Sequence, residues 1–252
     1  MRAAVTALQN AISFLTVLPF PCPMVGTRSA DQMARSMAWF PLVGALIGAV
    51  GAGTLWLISL RWSGAVAALL GLAAMTVLTG GLHLDGFSDT LDGLAAWKGR
   101  EETLRIMRDS RIGVMGAAGI FFLLGLKWLL LQDLLSRGIL SILVAVCTLS
   151  RLSMVLSAQA FPYVPGKTGL GRLATDTRSP RSVWMALLLG IVIACFSLGP
   201  LEGLLCLAAS VAVTWGFNLL CLSRLGGITG DTLGAVNEMV EVSLLLLLGA
   251  VR

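Results

Sequence analysis

Residues 80–93 read GGLHLDGFSDTLDG, a stretch that carries three aspartates and the one histidine of the chain. It follows an apolar run, residues 64–84, of the length that crosses a bilayer, so Asp85, Asp89 and Asp92 are expected where a hydrocarbon-buried helix reaches water. Separations of four and three put the three carboxylates on one face of an α-helix, in a single acidic stripe. Each such charge costs roughly 2.5 to 3.5 kcal/mol at the centre of a membrane helix, and neighbouring like charges repel. A divalent cation offsets both terms: clustered hard oxygen donors suit Mg2+, which is commonly shared with substrate phosphates. The plainer alternative is a solvated helix end built from turn-forming Asp and Gly.

Composition sets the surroundings of that stretch. Of 252 residues, 57% are hydrophobic and 12% charged, against roughly 25% charged in soluble domains. This describes an integral membrane protein, with membrane lipid around it and no nucleic acid expected as a partner. The expected fold is all-α, a polytopic helical bundle of about seven transmembrane helices forming a single domain over residues 1–252. Spans are expected at 37–60, 64–84, 113–135, 139–160, 183–198 and 201–222, and in the last element, 226–251. Gly44, Gly48 and Gly51 have the small-residue spacing that lets another helix approach. Residues 3–20 are interrupted by Gln9, Asn10 and Ser13 and stopped by Pro19, Pro21 and Pro23, which fits either a span or a shallow re-entrant helix. No cleavage signal is evident, so this segment is expected to be retained. The five cysteines show no C-x-x-C pair and are read as reduced filler.

Basic residues concentrate in 28–35, 98–111, 167–181 and around Arg224, each two spans from the next, whereas the opposite turns hold Arg61, Arg137 and Glu202. The positive-inside rule then places the acidic stripe, and Asp231 with it, at the cytoplasmic face. Asp231, Glu238 and Glu241, separated by seven and three, form a second one-sided acidic row after Gly226, Gly227 and Gly230. Helix capping accounts for Asp231 alone, but Glu238 and Glu241 lie too deep for it. The expected metal ligands are therefore Asp85, Asp89, Asp92, Asp231, Glu238 and Glu241. Lys98, Arg100, Arg105, Arg108 and Arg111 follow the first stripe; Arg105 and Arg108 are one turn apart, and with Asp109 and Arg111 they suit phosphate oxygens, although topology alone also predicts a basic loop here. His83 fits a base, a ligand or an interfacial side chain. Arg151, inside a span, should pair with a carboxylate or line a cavity.

Three segments, GGLHLDGFSDTLDGLAAWKGREETLRIMRDSRIGVMGAAG (80–119), FPYVPGKTGLG (161–171) and GGITGDTLGAVNEMVE (226–241), resemble the cobalamin synthase, or adenosylcobinamide-GDP ribazoletransferase, family, as does FLTVLPFP at 14–21. The resemblance implies a bacterial inner-membrane enzyme with its active site facing the cytoplasm. It implies that adenosylcobinamide-GDP is joined to α-ribazole or its 5′-phosphate, with magnesium, releasing GMP. Catalytic roles are then expected of Asp85, Asp89, Asp92, His83 and Asp109, and substrate contacts of Lys98, Arg105, Arg108, Arg111, Lys167 and Asp231. Residues 89–96 also fit the start of the D-x-x-D-G-x-x-A-R pattern of CDP-alcohol phosphotransferases, but Trp97 stands in place of the arginine and no G-x-x-x-D-x-x-x-D follows. A cation or corrinoid transporter is the alternative from another class, since intramembrane charge also lines ion pathways. Acids clustered at one face, with no inverted repeat, speak against it.

Overall fold

Ser141–Ala160 is the axis of the bundle, with every residue from Ala145 to Ala158 buried. A helix that is apolar almost all round belongs in a core, and its few hydroxyls bond to their own helix: Thr148 donates to the Val144 carbonyl at 2.7 Å and Ser157 to that of Ser153 at 2.8 Å. The computed structural model describes residues 2–19, 30–137, 140–164, 172, 175 and 179–251. Its helices are α1 (Arg2–Leu15), α2 (Ala30–Met37), α3 (Phe40–Ser59), α4 (Gly64–Leu78), α5 (Leu82–Ala95), α6 (Arg100–Ile106), α7 (Val114–Ser136), α8 (Ser141–Ala160), α9 (Pro180–Leu198), α10 (Pro200–Leu225) and α11 (Gly230–Val251). Helices α3, α9, α10 and α11 surround α8, and α4, α5 and α7 extend the bundle on one side.

Among the described residues six helices, α3 and α7 to α11, are long and apolar enough to cross a membrane, and the bent pair α4–α5 makes a seventh if counted as one span. The expected polytopic all-α architecture is therefore observed. One expectation changes. Residues 64–84 are not one straight span: α4 ends at Leu78 and α5 leaves it at 89°. Gly80 and Gly81, at φ +61° and +69°, supply the left-handed backbone that a side chain resists. The break strands a helix-end carbonyl, and the backbone N–H of Val17 donates to it, Leu78 O, at 2.9 Å. Helix α1, at 14 residues, rises only about 21 Å, short of a hydrocarbon core of about 30 Å. The polar stretch before α3 also holds a helix, α2, which turns Met33, Ala34 and Met37 inward.

The glycines of α3 do what their spacing suggests. A Cβ on Gly44 would stand 2.8 Å from the carbonyl carbon of Cys147, and one on Gly48 would stand 2.7 Å from that of Leu143. Helices α3 and α8 thus meet backbone to backbone. At one end of the bundle the chain segments interlock: Ile228 N–H donates to Pro162 O at 2.9 Å and Val164 N–H to Ile228 O at 3.0 Å, tying the exit of α8 to the turn between α10 and α11.

Gly48→Leu should lower thermal stability in detergent by about 1–3 kcal/mol or more, because the obstacle is backbone and does not yield. Gly53→Ala, on the same helix with no atom within 4 Å of the added carbon, should be neutral or stabilising. Melting curves of the two variants check this directly.

Candidate active site

Helix α5 carries the acidic stripe on one face and a packing face opposite it. His83, Gly86, Thr90 and Gly93 are buried, whereas Asp85 is exposed and Asp89 and Asp92 are half-buried. The packing face meets α11 at very short range. A Cβ on Gly86 would lie 2.7 Å from the backbone oxygen of Asp231, and one on Gly234 would lie 3.1 Å from that of His83. The crossing therefore puts Asp231 beside the α5 turn that runs from Asp85 to Asp89. Asp231 is half-buried there and accepts from the Thr229 hydroxyl at 3.2 Å. It is not the cap of α11. Thr229 and Thr232 cap that helix reciprocally, Thr229 N–H donating to Thr232 Oγ1 at 2.7 Å and Thr232 N–H to Thr229 Oγ1 at 3.2 Å.

Asp92 looks the other way along the stripe. Its Oδ2 accepts the Gly113 N–H at 2.7 Å and its Oδ1 the Gly116 N–H at 2.8 Å, so one carboxylate caps the N-terminus of α7 from a different helix. The absence of side chains at Gly113 and Gly116 makes room for it: a Cβ at Gly113 would stand 2.7 Å from the Asp92 carboxyl carbon. Asp92 thus serves to join α5 to α7.

Glu238 and Glu241 require a correction as metal ligands. Both are buried and committed to basic partners: Lys127 Nζ donates to Glu238 Oε2 at 2.5 Å and to Glu241 Oε2 at 2.6 Å, and Arg151 Nη1 pairs with Glu241 Oε1. Ser150 and Asn237 add hydrogen bonds to Glu241 Oε1 at 3.2 and 3.4 Å. Two cations and two anions, from α7, α8 and α11, make a neutral interior quartet. Magnesium keeps much of its water, and a closed four-charge cluster leaves it no place. The expectation that Arg151 finds a carboxylate agrees with this pairing. His83 also moves: only 2% exposed and on the face opposite the aspartates, it has no hydrogen-bond partner for either ring nitrogen among the described residues. It is not placed to act as the base at the acidic stripe.

The basic segment after α5 is partly self-neutralised. Arg105 forms a two-point pair with Glu102 at 2.6 and 2.7 Å. Arg111 does the same with Asp109 at 2.7 and 3.0 Å, and also donates its N–H to Asp109 Oδ1 at 3.1 Å. That side-chain hydrogen bond from Arg111 pulls the Asp109 carboxyl down to about 2, so Asp109 is an anion at neutral pH and no general acid. Arg108 and Lys98 are exposed, and Arg108 has no acidic partner among the described residues. Lys167 lies outside the described residues. Among the described residues no three His, Cys, Asp or Glu side chains stand close enough to hold a metal ion by themselves.

Sequence reading missed Lys127 as the partner of the deep glutamates, although the signal was present. Two basic residues well inside apolar spans, Lys127 and Arg151, need two acids at similar depth, and Glu238 and Glu241 are such a pair.

The chain is thus a polytopic helical membrane protein in which the α5–α11 crossing sets Asp231 against the helix that carries Asp85 and Asp89. Residues 7–249 match the Cobalamin-5-phosphate synthase family model, and the chain belongs to that family. Curated relatives named adenosylcobinamide-GDP ribazoletransferase include one from Klebsiella pneumoniae (strain 342), 39% identical over 241 residues, covering 94% of this chain and 97% of the relative. Another, from Desulforamulus reducens, is 36% identical over 246 residues and covers 97% of both chains. A third, from Syntrophobacter fumaroxidans, is 39% identical over 243 residues, 94% of this chain and 95% of the relative. No solved structure matches.

Breaking the quartet on one side should cost far more than removing a balanced pair. Lys127→Met leaves two buried carboxylates sharing one arginine, and should destabilise by about 3–5 kcal/mol. Lys127→Met with Glu238→Met leaves Arg151 and Glu241 matched and should recover much of that loss. Thermal unfolding of the single and double variants in detergent measures the difference.

Proposed function

We propose that this chain is an adenosylcobinamide-GDP ribazoletransferase working at the cytoplasmic face of a bacterial inner membrane. The observation that carries the reading is the α5–α11 crossing, which brings together acids far apart in sequence, from the two segments that most resemble the family. Nearly full-length similarity to relatives of that name supports the same activity over a CDP-alcohol phosphotransferase. The placing of basic loops supports the cytoplasmic orientation.

Mg2+ fits the donor set of this end of the bundle. Asp85, Asp89 and Asp231 would offer hard oxygens to an ion that shares its remaining positions with water and substrate phosphates. When bound, it neutralises charge on the transferring phosphoryl group. The chain's own residues account for the remainder. Arg108 and Lys98 are exposed to receive phosphate oxygens, and Arg105 and Arg111 can exchange their carboxylate partners for them. The α-ribazole hydroxyl forms a new P–O bond to the phosphorus bearing the cobinamide arm. The bond from that phosphorus to the GMP oxygen breaks, and the hydroxyl proton is released.

Protein in lipid nanodiscs with magnesium, adenosylcobinamide-GDP and α-ribazole should release GMP and yield a corrinoid product; absence of both would refute the proposal. Asp89→Asn and Asp231→Asn should each cost more than the roughly 10- to 100-fold typical of outer-shell partners. Groups that act as a unit are non-additive, so the double variant should lose little beyond the worse single one. Independent multiplicative losses would place the two acids in separate sites. Asp92→Asn should instead lower the melting temperature while leaving the magnesium dependence of turnover unchanged.

A further inference from the structure

Among the described residues Trp97 is the one non-glycine residue with a positive φ, +51°. A bulky side chain in the left-handed region is an outlier that costs free energy, and such strain persists where the surroundings enforce it, often at ligand sites. Yet nothing in the core asks for this indole. Trp97 is 80% exposed and takes no part in the packed apolar cluster. What holds it is Arg224, from the last turn of α10, whose guanidinium carbon sits 4.8 Å from the ring centroid. One face of the indole is covered by a cation and the other is open.

The pair spans the seam between the connection after α5 and the end of α10, each close in sequence to one of the acidic segments. Trp97 follows Asp92 by five residues, and Arg224 precedes Asp231 by seven. A second contact crosses the same seam: the guanidinium of Arg100 lies against Gly226, where an added Cβ would stand 3.1 Å from Cζ. Gly226 itself is left-handed, at φ +75°. The connection after α5 and the turn after α10 are thus joined by two arginines, with an outward-facing indole between them.

We infer that Trp97, held flat by Arg224, is a stacking platform for a planar heteroaromatic base of a substrate. A strained, outward-facing aromatic with a cation on one face presents its other π-face to a ring, and every nucleobase has a face to match. The placing beside the acids rests on the function proposed above, which supplies two such rings, the guanine of the nucleoside diphosphate and the benzimidazole of α-ribazole. A membrane-interface anchor would also use tryptophan, but it would bury the ring's body in lipid without needing a strained backbone or an arginine cover.

Binding of GMP, α-ribazole and ribose 5-phosphate to the protein in nanodiscs, measured by calorimetry, tests the platform without turnover. Trp97→Gly accepts the +51° backbone, so its melting temperature should equal or exceed that of the unaltered protein. Its affinity for GMP or for α-ribazole should fall by roughly 5- to 100-fold, with Trp97→Phe restoring most of it and ribose 5-phosphate unaffected. Whichever of GMP or α-ribazole weakens is the ring that stacks. The platform is overturned if neither base binds the unaltered protein, if neither weakens in Trp97→Gly, or if ribose 5-phosphate weakens equally. A clear drop in melting temperature or loss from the nanodisc would likewise overturn it, showing a structural or anchoring indole. A protein that binds a base through Trp97 but gives no corrinoid product would retain the platform and lose the proposed activity.

Discussion

A carboxylate in hydrocarbon must be paired or must leave, and the acids of this chain are sorted by that rule. Glu238 and Glu241 stay inside because Lys127 and Arg151 meet them, two charges against two. The quartet gains little net stability over an apolar core, since desolvation consumes most of the attraction. Its value lies in register. Three helices contribute, and a rotation or slip of α11 would strand a charge, so α11 is held in one orientation against α7 and α8. Asp231 is seven residues before Glu238, on the same side of the same helix, and inherits that orientation.

From α11 the constraint passes to α5 through absent side chains. Gly86 and Gly234 let the two backbones come within van der Waals range, so the position of α5 is set by contact with the helix that the quartet has already fixed. Asp92 adds a second tether by capping α7. The Gly80–Gly81 break completes the arrangement. By turning the chain 89°, it sets α5 off from the apolar helix before it, with Asp85 exposed and Asp89 half-buried.

The membrane class, the number of spans and the α3–α8 glycine contact are legible in the sequence because each depends on local composition or on a short period. The adjacency of α5 and α11 is legible too, since two one-sided acidic rows on one membrane face need a common purpose. What is not legible is which acids serve structure. Glu238 sits in a helical acid row near glycines as Asp85 does, and only Lys127, supplied by a distant helix, marks it as structural. The same holds for Asp92, whose spacing matches Asp85 and Asp89 but whose oxygens are claimed by two backbone N–H groups more than twenty residues onward. The kink at Gly80–Gly81 is not legible either, because apolar periodicity continues through it and hydropathy has no term for backbone handedness.

Burial also explains why the same pairing of carboxylate with arginine or lysine has opposite uses in this molecule. Inside, Lys127 and its glutamates have no competitor, and their geometry is permanent. Outside, the Arg105–Glu102 and Arg111–Asp109 pairs are screened by water and contribute little to stability. They still matter, because each holds a guanidinium in a fork already shaped for two oxygens, and Asp109 remains an anion at any physiological pH. On the function proposed above, a pyrophosphate would offer these arginines more charge and more oxygens than either carboxylate, with little rearrangement of the guanidinium. The quartet holds α11 in register inside the bundle, whereas the surface pairs only order guanidinium groups that water already reaches.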